Sequence, residues 1–84
     1  MRLNYTQNFL KNYKLRIVRN KVLDKRFQNR LQLFLNTPQN PILRDHKLIG
    51  AKKSLRSFSV SGDIRVVYYK IADKIILIDV GSHN

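Results

Sequence analysis

Leu55-Arg56-Ser57-Phe58-Ser59-Val60 is followed by Ser61-Gly62-Asp63, then by Ile64-Arg65-Val66-Val67-Tyr68-Tyr69-Lys70-Ile71. Ala72-Asp73-Lys74 follows, and then Ile75-Ile76-Leu77-Ile78-Asp79-Val80. Three runs rich in β-branched and aromatic residues are thus separated by two short segments of turn chemistry. Tight turns between neighbouring strands predict an antiparallel meander. Gly81 is expected to break the pattern after the last strand.

Upstream of the meander the periodicity changes. Leu23, Phe27, Leu31, Phe34 and Leu35 recur at helical spacing and predict one apolar stripe on a helix from about Asn20 to Leu35. Its other face carries Lys21, Lys25, Gln28, Asn29 and Gln32, and Asn36-Thr37-Pro38 stops it, because proline cannot continue a helix. An earlier helix is marked by Phe9, Leu10, Tyr13 and Ile17, with Thr6 as its N-cap. Arg2 to Tyr5 suits a short edge strand, and Pro41 to Ser54 reads as a loop with little regular pattern. Two N-terminal helices before such strands give an α+β fold of order β-α-α-β-β-β, with both helices on one face of a twisted, mostly antiparallel sheet. The helical stripe should meet Phe58, Val60, Val66 or Val67, and Ile76 or Ile78. The other sheet face should stay partly open.

The chain has 84 residues, so residues 1–84 are read as one domain. No apolar run approaches the roughly 20 residues of a membrane span, and no signal peptide opens the chain, so a cytoplasmic location is expected and a membrane partner is not. There is no cysteine, which excludes disulfides and thiolate metal sites. His46 and His83 are too few for a histidine metal cage, so no cofactor is implied. Charge is the strongest bulk signal: 17 Lys and Arg against five acids, a formal net charge of +12. Such a domain suits a polyanion or an acidic protein partner.

No nucleotide-binding loop, metal-binding helix or serine-hydrolase elbow is present. What remains is a polar set at strand ends and edges: His46, Arg56, Ser59, Asp63, Arg65 and His83. Metal-free RNA cleavage needs a base for the 2′-OH, an acid for the leaving 5′-oxygen and cations for the phosphorane. Histidine suits proton transfer, and arginine suits phosphate because its planar fork binds two oxygens. Each residue also has a plainer reading. His46 fits a solvated loop, His83 a frayed end, Asp63 a turn residue, and Arg56 an edge-strand charge. Arg65, inside an apolar run, has to be paired or functional.

Three segments carry a family resemblance. Asp45-His46-Lys47-Leu48-Ile49-Gly50 is followed by Leu55 to Tyr68 and by Asp79-Val80-Gly81-Ser82-His83-Asn84. In that order and spacing they resemble the RelE/ParE toxin superfamily, most closely its YafQ-like branch. The helix end at Phe34 to Pro38 and the Asn40-Pro41 step fit as well. The resemblance implies two helices on a mostly antiparallel sheet. It implies a toxin of a type II toxin–antitoxin system that cuts mRNA in the ribosomal A site without a metal. It also implies an antitoxin that wraps the toxin, the pair contacting operator DNA only as a complex. Carried over by position, His46, Asp63, Arg65 and His83 become the expected catalytic set. Arg56, with Lys52 and Lys53 beside it, becomes the expected phosphate-binding set. Ser59 stands where the YafQ-like pattern has another histidine. Two other functions remain open at this point: a ParE-like inhibitor of DNA gyrase, which generally lacks these histidines, and a non-catalytic RNA- or antitoxin-binding relative.

Overall fold

A computed structural model describes residues 2–49 and 55–82. The elements, in chain order, are β1 (Arg2–Tyr5), α1 (Gln7–Arg16), α2 (Lys21–Asn36), a 3-10 turn (Pro41–Leu43), β2 (His46–Lys47), β3 (Leu55–Ser59), β4 (Ile64–Ile71) and β5 (Lys74–Ser82). Both helices start where the sequence places caps. The Thr6 hydroxyl accepts from the Phe9 amide at 3.0 Å and donates to the Ile78 carbonyl at 2.9 Å. The Asn20 side chain accepts from the Leu23 amide at 3.1 Å. Each cap satisfies an amide that the first helical turn leaves without a partner.

The strands form one five-stranded sheet in the order β1-β5-β4-β3-β2. The meander β3-β4-β5 is antiparallel, and β1 adds to β5 in parallel, so the sheet is mixed. β2 extends it at the other edge, inside the segment expected to be a loop. A two-residue strand carries no periodic signal, which is why the pattern misses it.

Facing residues on neighbouring strands share a side of the sheet. On one side lie Phe58, Val66, Tyr68, Ile75, Leu77 and Val80, all buried. Phe27, Leu31 and Phe34 of α2, Phe9 of α1, and Ile17, Leu43 and Val60 belong to the same core. Phe34 stacks on Phe58 with centroids 4.5 Å apart and meets Tyr68 edge-on at 4.7 Å. Leu23 and Leu35 of the expected stripe sit partly buried at its margin.

Two expectations for the last strand are corrected. The core positions of β5 are Ile75, Leu77 and Val80, not Ile76 or Ile78. The β4–β5 register jumps from Val67 opposite Asp79 to Tyr68 opposite Leu77, leaving Ile78 as an extra residue. This bulge reverses the alternation, so the inward positions are odd before it and even after it. Nor does Gly81 end the strand: it pairs with Arg65, and β5 runs on to Ser82.

Candidate active site

The second side of the sheet carries Ser57, Ser59, Arg65, Val67, Tyr69, Ile76, Asp79 and Gly81, and β2 brings His46 to it opposite Ser57. The neighbouring residue, Asp45, leaves toward the helix side. There its carboxylate accepts from the Tyr68 hydroxyl at 2.7 and 2.8 Å and from Arg56 Nε at 3.2 Å. Tyr68 is 3% exposed, so Asp45 ties the segment that carries His46 to the core. Burial pushes the Tyr68 phenol well above its ordinary range, and the adjacent carboxylate pushes it further. At Arg56 burial acts to lower the pKa, but the Tyr68 hydroxyl and the Asp45 carboxylate raise it overall.

Between the 3-10 turn and Asp45, Arg44 adopts φ 49° and ψ 42°, the left-handed region that costs an L-residue roughly 1–2 kcal/mol. The conformation is held by use of its carbonyl. Arg65 Nη2 donates to the Arg44 oxygen at 2.8 Å, and His46 Nδ1 lies 2.8 Å from the same atom. A carbonyl only accepts, so Nδ1 carries a proton; this assigns the tautomer from the hydrogen-bond pattern. The 3.2 Å approach of Nη2 to Nδ1 is then two donors converging on one acceptor. Neutral His46 therefore has its free lone pair on Nε2, on an exposed ring.

Arg65 is fixed at three acceptors. Nε donates to Ser57 Oγ at 2.9 Å, and Nη2 reaches both the Arg44 carbonyl and, at 3.3 Å, the Ser57 carbonyl. Ser57 is 1% exposed and forms a rigid floor. Among the described residues, the one ion pair joins Arg56 to Asp45, so Arg65 has no carboxylate within pairing distance. Partial burial lowers the Arg65 pKa, the nearby Arg44 charge lowers it further, and Asp45 opposes both. The group remains a cation, and a bound anion would relieve the repulsion between the two guanidiniums. A shallow hollow of about 190 Å³ opens beside it, lined by Leu48, Ser57, Arg65, Val67, Gly81 and Ser82. A larger hollow of about 430 Å³ runs between Pro38, Asn40, Arg44, Asp45 and Arg56. Its walls hold no histidine, so volume alone does not mark the chemistry.

The structure brings together two of the expected catalytic residues, His46 and Arg65. Asp63 lies in the turn before β4, exposed, and its carboxylate has no hydrogen-bond or ion-pair partner among the described residues. It does not share the strand with Arg65, because β4 begins at Ile64. Arg56 faces the helix side, across the sheet from Arg65, and is engaged by Asp45. Ser59 is buried and donates to the Ser61 carbonyl at 2.7 Å, a turn-closing role. His83, Lys52 and Lys53 lie outside the described residues. Three contributors escaped the residue-by-residue reading: Arg44 through its carbonyl, Asp45 through its anchor to Tyr68, and Ser57 as the floor. For Asp45 a signal existed, an acid directly before the loop histidine. For a backbone carbonyl there was none.

Comparison with known proteins identifies the family and the fold. The profile of YafQ, described as a bacterial toxin of type II toxin–antitoxin system, matches residues 1–84. YafQ from E. coli superposes with a TM-score of 0.80 at 21% identity, covering 99% of this chain and 94% of that one. The YafQ of an E. coli DinJ–YafQ complex gives 0.78 at 28% identity with the same coverage. A copper-bound mutant toxin from Helicobacter pylori gives 0.77 at 28%, also over 99% and 94%. No curated protein sequence gives a significant match to this chain. With its whole length matched and its fold shared, the chain belongs to the YafQ family of type II toxin–antitoxin toxins.

Proposed function

We propose that this toxin is a ribosome-dependent endoribonuclease that cuts mRNA in the A site. The observation that carries the reading is the convergence of His46 Nδ1 and Arg65 Nη2 on the Arg44 carbonyl. It leaves a histidine Nε2 and a guanidinium without a carboxylate partner side by side on the open face.

In the proposed step the 2′-oxygen attacks the adjacent phosphorus, and the P–O5′ bond breaks. The products are a 2′,3′-cyclic phosphate and a 5′-hydroxyl. One proton leaves the 2′-OH and one reaches the 5′-oxygen, so acid and base are both required. His46 serves one of these transfers through Nε2. Arg65 holds the phosphate and stabilises the phosphorane; its three protein acceptors fix its plane before substrate arrives, and such preorganised charge is often the largest catalytic term. We assign the other transfer to His83, the residue after Ser82 in the sequence, and a supporting role to Asp63. Lys52, Lys53 and Arg56 add positive potential for the RNA backbone. In Arg56 this role is secondary to its bond with Asp45.

The toxin's partners in this reading are a cognate antitoxin, mRNA on the ribosome, and operator DNA reached only through the antitoxin complex. Its place is the cytoplasm, where ribosomes are. No helix among the described residues is long and apolar enough to cross a membrane.

Induced expression in a bacterial host tests the reading. Wild-type toxin should arrest growth and leave mRNA fragments ending in a 2′,3′-cyclic phosphate, or its hydrolysed 3′-phosphate, inside reading frames. His46→Gln and Arg65→Ala should each grow, with soluble folded toxin present. Growth arrest with intact mRNA and inhibited gyrase would replace this reading with the ParE-like one.

A further inference from the structure

We propose that Arg16 is a second phosphate-binding residue of this site, holding a phosphodiester next to the one on Arg65. The inference rests on the proposal that the open face takes RNA. It starts from Gly81. A β-carbon built there would overlap Arg16 Nη1 and lie 3.3 Å from Arg16 Cζ. The bare backbone at Gly81 is what lets the guanidinium lie there. Gly81 is the direct cross-strand partner of Arg65, so a β-carbon there would point to the Arg65 side of the sheet. Gly81 and Arg65 line the same hollow, so the Arg16 guanidinium lies at its β5 margin, while the Arg65 guanidinium turns to Ser57 and Arg44 at its β3 margin.

Arg16 ends α1, and a cation in the last turn of a helix also complements the helix dipole. That role needs only charge near the helix end. It does not require the guanidinium to lie over β5. The course of α1 explains the placement. Asn12, one turn earlier, donates to Asp79 Oδ1 at 2.6 Å, and Arg16 then falls beside Gly81, two residues further along β5. Asp79 is the carboxylate of this stretch, and neutral donors occupy the same oxygen: the Asn12 amide and, at 2.8 Å, the Val80 amide. Among the described residues Arg16 makes no ion pair. Two exposed or half-exposed guanidiniums without carboxylate partners thus flank one cross-strand pair. An RNA backbone is the polyanion that would use both, one phosphate to each.

A short single-stranded 2′-O-methyl RNA, which has no 2′-OH to attack, is a suitable probe with the full chain. Its affinity is measured over a salt series for wild type, Arg16→Ala, Gly81→Ala and the double variant. Arg2→Ala, at the other end of the β1–β5 pair, is the control. Loss of one phosphate contact should reduce the slope of log affinity against log salt by about 0.7. Arg16→Ala and Gly81→Ala should each show that reduction, the second by displacing a guanidinium that is still present. The double variant should lose no more than Arg16→Ala alone, and Arg2→Ala should keep the wild-type slope. An Arg16→Ala protein that binds with the wild-type slope overturns the proposal and leaves the ribonuclease reading standing. A wild-type toxin with no affinity for the RNA also overturns the proposal, and the ribonuclease reading is then decided by cleavage in the presence of ribosomes.

Discussion

At the scale of single residues, one carbonyl does the organising. The Arg44 oxygen fixes the Arg65 plane and the His46 tautomer together, and Asp45 beside it ties the segment to Tyr68. Arg65→Lys should therefore behave as a loss. An ammonium cannot reproduce the planar fork that reaches Ser57 and Arg44, and cleavage should fall at least tenfold while stability changes little. A cleavage assay beside a thermal melt separates the two effects. Tyr68→Phe should cost about 1–3 kcal/mol at neutral pH, because it leaves Asp45 short of a buried donor. The pH dependence has a definite sign. Burial raises the folded-state pKa of Tyr68 above the ordinary tyrosine value of 10.0. The contribution of the phenol is therefore complete below pH 10 and is lost as pH rises above it, since the unfolded chain ionises first. Denaturant melts from pH 7 to 11 should show the gap between wild type and Tyr68→Phe narrowing above pH 10. A constant gap would contradict the burial argument. At this scale the sequence offered His46 and Arg65 as candidates, and the structure sets the two side by side, because side-chain chemistry is written in residue identity. It could not reveal the Arg44 carbonyl, which depends on a backbone angle.

At the scale of elements, the turn between β4 and β5 gives a clean test. Ala72 is the first of two residues joining Ile71 to Lys74, and its φ is 54°. A two-residue hairpin with positive φ at that position prefers glycine, as in a type II′ turn. Ala72→Gly should stabilise the protein by about 0.5–1 kcal/mol, the relief of left-handed strain exceeding the added freedom of the unfolded chain. In a domain of this size that raises the melting temperature by roughly 2–8 °C. Calorimetry reads it directly, and a lowered melting temperature would count against the turn geometry. The elements were largely legible because their signals are periodic: the α2 stripe, the two caps and the three strands of the meander all lie within a residue or two of expectation. What escaped has no period. β2 is two residues long, and the Ile78 bulge exchanges inward and outward positions at the end of the run Ile75 to Ile78, whose apolar residues do not alternate.

At the scale of the whole molecule, a net charge of +12 acts on any partner before contact. Association with an acidic antitoxin segment should be steered by that field, so the on-rate should fall by roughly tenfold or more as salt screens it, while the off-rate moves less. Stopped-flow binding at two ionic strengths measures this; a salt-independent on-rate would show that the basic surface lies outside the contact. The same field would attract any polyanion, but charge alone names no reaction. The account rests on His46 and Arg65 acting together, and the most direct test is primer extension on a defined mRNA in a reconstituted translation reaction. Wild-type toxin should give cuts within the reading frame only when ribosomes are present. Arg65→Ala and His46→Gln should each reduce those cuts by about 10²-fold or more. Cutting at the parent rate by a folded His46→Gln/Arg65→Ala double variant would contradict the account.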